Sequence, residues 1–198
     1  VIKYAKKGDN HYDTISAFIK SMRGSDPDAA LYYLARMIYA GEDPKFIARR
    51  IVICASEDVG NADPQALHVA VSAFLAVERI GMPESQIILA NACTYVATAP
   101  KSNAAGGGGV VGIDEALNYI KVHGTDNVPP YLKDAHYQAA AKLGRGIDYK
   151  YAHDYPNNYV KQQYLPDEVC KTTFYHSCGN GYERKIDEHM ARIRKEAE

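Results

Sequence analysis

No tryptophan occurs in this 198-residue chain, and its four cysteines form no CxxC pair. The spacings of Cys54, Cys93, Cys170 and Cys178, even counted with His153, Asp154 and His176, match no structural zinc pattern. Cys54 and Cys93 sit inside apolar helical patterns, as reduced thiols do, so a reducing compartment without a disulfide framework is expected. No apolar run approaches the length of a membrane span. Excess charge of either sign is missing too: 23 Lys and Arg face 24 Asp and Glu, for a net charge of −1. Net charge therefore points to neither nucleic acid nor membrane, and any basic patch must be local. The chain opens at Val1, with no signal peptide before its first helical pattern. It is expected to be part of a longer, cytoplasmic protein.

Catalytic signatures are equally scarce. The P-loop pattern G-x-x-x-x-G-K-[ST] is absent, and no strand leads into the glycine run at residues 106–109, which reads as a flexible loop. No Ser or Cys nucleophile has an oriented base in a recognisable pattern. Glu57–Asp58 and His153–Asp154 could serve an enzyme only with partners in a cleft, and nothing local supplies them. The acids at 57–58 are expected to pair with arginines and fix the turn at Gly60, and His153–Asp154 to make a local hydrogen bond. A non-catalytic chain without its own cofactor is expected.

Helical periodicity fills the first two thirds. Ile15, Phe18, Ile19 and Met22 share a face, and Gly24 stops the helix. Leu31, Leu34, Ala35 and Ile38 define a second stripe, and Ile47, Ile51 and Cys54 a third. Leu67, Val71, Phe74 and Val77 form the fourth, then Ile88, Ala92, Tyr95 and Val96 the fifth, closed by Pro100. Asp26–Pro27, Asp43–Pro44 and Asp63–Pro64 each open a helix. The carboxylate accepts from the first turn, and proline sits where no N–H is needed. No alternating strand pattern precedes residue 145. Further helices are predicted over 113–123, 135–143 and 182–195. The fold is therefore all-α, a bundle-like array with an irregular tyrosine-rich segment before its last helix.

Three sets of residues could meet a ligand or partner. Lys101, Ser102 and Asn103 follow Pro100 at an exposed corner, where a cation beside two small polar side chains could hold a phosphate, or simply close a turn. Arg49 and Arg50 flank an apolar run. The third set lies in YKYAHDYPNNYVKQQYLPD (149–167), which holds five tyrosines and two lysines. Lys150, Tyr155, Tyr159 and Lys161, with Lys142 and Arg145, could join these arginines and Lys101 in a basic, aromatic surface for DNA. Structural strapping by the tyrosine rings is the preferred reading, and base stacking the alternative.

Taken together, HYDTISAFIKSMRGSDPDAALYYLARMIYAGEDPKFIARRIVICASEDVG, ATAPKSN and YKYAHDYPNNYVKQQYLP closely resemble the C-terminal half of the RarA/MgsA family. These are the replication-associated recombination AAA+ ATPases, related to the eukaryotic Werner helicase-interacting protein. The resemblance runs from about residue 11 to residue 194. It implies a helical domain similar to the clamp-loader collar, which holds subunits together as a homo-oligomer, a tetramer, beneath an ATPase ring. ATP and Mg are implied for the N-terminal half, outside this chain. DNA and single-strand-binding protein are implied partners of the full-length protein at the nucleoid. Residues 1–10 would be a tail or link to the ATPase half, and residues 11–198 the oligomerisation domain, with a sub-boundary near residue 60. Where family members continue PKSN into a helix, Ala104–Ala105 here run into glycines, so a loosened or displaced helix start is expected. An oligomerisation module should also leave an apolar helix face uncovered by its own core.

Overall fold

A computed structural model describes residues 9–106, 111–136 and 139–198. The anticipated tail at residues 1–10 and the glycine run at 106–109 lie largely outside these residues. Among the described residues there are seven α-helices and no strand. The chain divides into two compact units, Val1–Asp114 with Tyr175–Arg184, and Glu115–Phe174 with Lys185–Glu198.

The first unit contains α1 (Asp9–Arg23), α2 (Pro27–Tyr39), α3 (Pro44–Cys54), α4 (Gln65–Ile80) and α5 (Ser85–Thr98). A wide turn, Ala55–Val59, and a tighter one, Gly60–Ala62, join α3 to α4. The three Asp–Pro pairs act as caps: Asp26 accepts from the Ala29 N–H, Asp43 from Lys45 and Asp63 from Gln65. Asp63 also accepts the Tyr95 hydroxyl at 2.9 Å, tying the start of α4 to α5. Helix α5 packs against all four other helices of this unit. Such a helix must be apolar on several sides, and Leu89, Ala92, Cys93, Val96 and Ala97 are all buried.

Two helices turn only part of the predicted stripe to the core: Val77 and Phe74 of α4 and Leu34 and Ile38 of α2 pack there, the rest of each stripe does not. In α4 the buried residues are Ala66, Ala70, Ala73 and Val77. Leu67 and Val71, from the predicted stripe, are exposed, together with Leu75 at 51%. In α2 the core takes Ala30, Leu34 and Met37, leaving Leu31 and Ala35 outside. Small residues on the inner face let helix axes approach closely, and larger ones there would not fit. The predicted stripes of α1 and α3 do face the core, through Phe18 and Met22 and through Ile47, Ile51 and Cys54.

Helix α6 (Gly112–His123) begins in the first unit and continues in the second, and so does α7 (Tyr182–Glu196). The entry expected to be loosened or displaced lies partly outside the described residues, but the first turn of α6 itself is held by the segment before the glycines. Ile113 N–H donates to the Ala105 carbonyl, and a Cβ at Gly112 would lie 2.7 Å from the Ala104 and Ala105 oxygens. In the second unit Ile193 is buried, with Ile186 and Met190 half-buried on the same stripe. The helix predicted over 135–143 is not formed. Residues 137–138 lie outside the described set, and Ala141–Leu143 makes a single 3₁₀ turn. Gly144 and Gly146 then adopt left-handed backbone, and the amides of 143–145 bond back to Ala140 and Ala141. Among the described residues there only Ala140 is buried, so they offer no apolar face to repay the ordering of a longer helix.

Ala70→Leu should therefore cost about 1–3 kcal/mol through overpacking, read as a fall in denaturation midpoint. Leu75→Ser, on the opposite face, should leave monomer stability within about 0.5 kcal/mol.

Candidate functional site

Pro100 ends α5 and creates the problem that Lys101 solves. The Val96 carbonyl would normally accept from the amide four residues on, but that residue is proline and has no N–H. The Lys101 ammonium takes its place, donating to the carbonyls of Val96, Ala97 and Ala99 at 2.9, 3.0 and 2.6 Å. A cation at the negative end of a helix is also electrostatically favoured. Burial lowers the Lys101 pKa, and the nearby Cys54 and Asp58 oppose that shift.

The exposed corner expected at 100–103 is thus turned inward. All three Lys101 protons are engaged within the chain, and Ser102 is buried. Ser102 N–H donates to the Asp58 carbonyl at 2.8 Å, and its hydroxyl accepts from Ala104 N–H. Asn103 remains exposed. Asn180 Nδ2 donates to the Lys101 carbonyl at 3.0 Å, docking the 175–184 segment. Gly181 makes this contact close: a Cβ there would sit 2.3 Å from the Ala62 oxygen and 2.7 Å from Pro100. The buried Glu183 accepts from Tyr175 Oη at 2.7 Å and from Cys178 N–H.

Asp58 is the other centre of this junction. Its carboxylate is buried, accepts Arg23 Nε at 2.9 Å and receives the Cys54 thiol at 3.3 Å. The arginine partner is on α1, not at 49–50, which sequence spacing could not reveal. Arg49 instead lies over the Phe74 ring, 5.8 Å from its centroid. Arg50 has a buried Nε with no hydrogen-bond partner among the described residues.

The third set is brought together. Lys150, Tyr155, Tyr159 and Lys161 line one cavity of about 390 Å³, with Pro156, Asn157 and the end of α7. Sequence reasoning missed Gln162, which holds this cavity's two sides in register through Lys150: its Nε2 donates to the Lys150 carbonyl at 2.8 Å, and its Oε1 accepts the Lys150 amide at 3.3 Å. Arg145 stands apart from this cavity, in a hollow with Asp126 and Asp134. No hydrogen bond joins His153 to Asp154: His153 lies beside the Tyr151 ring, and both acid and base are exposed. Among the described residues no group of three or more His, Cys, Asp or Glu could hold a metal ion.

Residues 24–194 match the family described as MgsA AAA+ ATPase C terminal. The chain belongs to that family. An AAA domain-containing protein of Mycobacterium tuberculosis is 53% identical over 193 residues, covering 98% of this chain and 42% of the relative. Replication-associated recombination protein A of Bacillus subtilis is 52% identical over 170 residues, covering 86% and 39%. The protein of the same name from Haemophilus influenzae is 43% identical over 199 residues, covering 98% and 43%. This MgsA-type chain thus spans about two fifths of the length of these relatives.

Lys101→Met should cost about 1–3 kcal/mol, because carbonyls at the end of α5 lose their donor, and Lys101→Arg should recover part of the loss in thermal unfolding. The thiols give a pH test. Burial pushes Cys54 and Cys93 up to about 12, helped at Cys54 by Asp58. An unfolded thiol ionises near pH 8.5. The stability tied to these protonated thiols is thus complete below about pH 8.5 and lost as pH rises toward 12. The melting temperature should fall across that window, and less so in a Cys54→Ala/Cys93→Ala variant. Native labelling at neutral pH should modify only the exposed Cys170 and Cys178.

Proposed function

We propose that this domain is a non-catalytic oligomerisation and interaction module of a clamp-loader-like AAA+ ATPase acting in replication-fork maintenance and recombination. In this reading the ATP and Mg site lies in the ATPase half of the full-length protein. The domain joins subunits, as a tetramer, so that ATP-driven motion elsewhere acts on DNA. DNA and single-strand-binding protein are partners of the whole protein, at the nucleoid in the cytoplasm. No helix among the described residues is long and apolar enough to cross a membrane.

One observation carries the reading: apolar side chains remain uncovered after the core of the first unit is complete. Leu31, Tyr32, Ala35, Tyr39 and Ile87 line an open groove of about 830 Å³ between α2 and α5. Ile87 is 68% exposed, and Leu67, Val71 and Leu75 form a further stripe on α4. Patches of this kind suit protein–protein contact. A closed homo-oligomer can cover such surfaces with copies of itself.

Sedimentation velocity on this chain at tens of micromolar should show a multimer. Ile87→Asp and Leu75→Asp should each weaken self-association tenfold or more, about 1.4 kcal/mol, without lowering the monomer's helicity. A strict monomer at high micromolar concentration would overturn the proposal.

A further inference from the structure

The tyrosine-rich segment makes little regular structure, yet it is held in a defined shape. Two tight turns, Ala152–Asp154 and Pro156–Asn158, fold it back on itself, with Asn157 and Asn158 in left-handed backbone. The Gln162 clamp fixes the Lys150 backbone beside residue 162, so Lys150 and Lys161 border the same cavity. Downstream, Tyr131 Oη donates to the Gln163 carbonyl, and Gln163 Nε2 donates to Asp167 and the Leu165 carbonyl. Shape is thus supplied by glutamines and turns rather than by the cavity's own tyrosines.

The cavity's side chains are left unspent. Lys150 and Lys161 are exposed and form no ion pair among the described residues. Tyr155 is 38% exposed and Tyr159 partly so. Tyr119, Tyr95 and Tyr175 each give their hydroxyl to a carboxylate, whereas those of Tyr155 and Tyr159 make no hydrogen bond among the described residues. The one acid at the rim, Glu196, is partly neutralised: it accepts from Asn157 Nδ2 and lies 3.6 Å from Arg192. Two cations, two aromatic rings and a satisfied acid therefore face one hollow of about 390 Å³.

We infer that this cavity binds single-stranded DNA, with a base against the rings of Tyr155 and Tyr159 and flanking phosphates at Lys150 and Lys161. Every base has a π-face, so stacking on tyrosine accepts any sequence, and lysines track the backbone. The volume lies at the small end of ligand pockets, which suits one nucleotide. A duplex keeps its bases stacked on each other and could not offer one to a tyrosine. Two lysines match the two phosphates that flank a single nucleotide of a strand. This inference does not depend on how the domain assembles.

Fluorescence anisotropy tests it, using the whole chain and a labelled oligothymidylate of about fifteen nucleotides, within the known span of strand-binding sites. Binding should be salt-sensitive. Lys150→Gln and Lys161→Gln should each lower the slope of log K against log salt by up to about one. Tyr155→Leu should weaken binding about tenfold with that slope unchanged, and Tyr155→Phe should restore it. Oligothymidylate carrying 5-iodouracil should crosslink to Tyr155 or Tyr159 on illumination. This readout uses the unaltered chain and so does not depend on any variant folding. Self-association should stay as in the parent chain throughout. The site is overturned by binding that survives all these substitutions, by crosslinks confined to other residues, or by equal affinity for duplex DNA. Equal affinity for an oligoglutamate of the same charge would overturn it too.

Discussion

The first unit depends on how α5 ends. Pro100 stops the helix but strips the Val96 carbonyl of its usual donor, and the Lys101 ammonium replaces it while also serving Ala97 and Ala99. To do so Lys101 must fold back over the helix end, which turns Ser102 toward the interior, where its amide meets the Asp58 carbonyl. Asp58 is in turn held by Arg23 from α1. The same corner accepts Asn180 and leaves room at Gly181 for no side chain. One capping requirement therefore positions the turn after α3, the end of α1 and a segment eighty residues later. A helix end buried without partners is costly, so each contact also relieves a penalty that would otherwise fall on α5.

Periodicity made the helices of this unit readable, because apolar residues at helical spacing and three Asp–Pro caps are local signals. It did not say which face turns inward. In α4 the stripe of Leu67, Val71, Phe74 and Val77 looks like a core, but only Phe74 and Val77 pack inward, and the alanines at 66, 70 and 73 take the rest of the inner face. A helix with apolar residues on two sides gives one strong period whichever side is buried. The choice is made by volume: α5 packs against four helices, and only small residues let a neighbour come close. The displaced larger side chains are then what the surface has left for a partner. The ambiguity in the sequence and the proposed assembly surface share this one cause.

The segment at 149–164 was legible in composition but not in form. Its residues have no period, so nothing in the sequence said that Lys150 and Lys161 would share a cavity or that Gln162 would clasp the Lys150 backbone. Long-range side chain-to-backbone contacts leave no pattern in a single sequence. The same holds for Asp58: Glu57 and Asp58 are adjacent and chemically alike, yet only Asp58 is buried beside Arg23 and Cys54. Likewise the segment expected to be helical at 135–143 had acceptable propensity, but among its described residues only Ala140 finds a core to enter.

Net charge is a poor guide to this chain because its cations are unequal. Lys101 has given every proton to backbone carbonyls, and Arg23 is committed to Asp58. They count in the formal charge but offer little to a partner. Among the described residues Lys150 and Lys161 carry the same formal charge without forming an ion pair, and Arg50 keeps a buried Nε without an acceptor. The field that a strand or a neighbouring subunit meets is set by these uncommitted groups, because paired charges largely cancel beyond a Debye length of about 8–10 Å. A chain of net charge −1 can therefore carry a locally basic hollow. Its modest charge favours contacts that form and release readily over tight autonomous binding, and the proposed assembly would multiply such contacts by bringing several copies together.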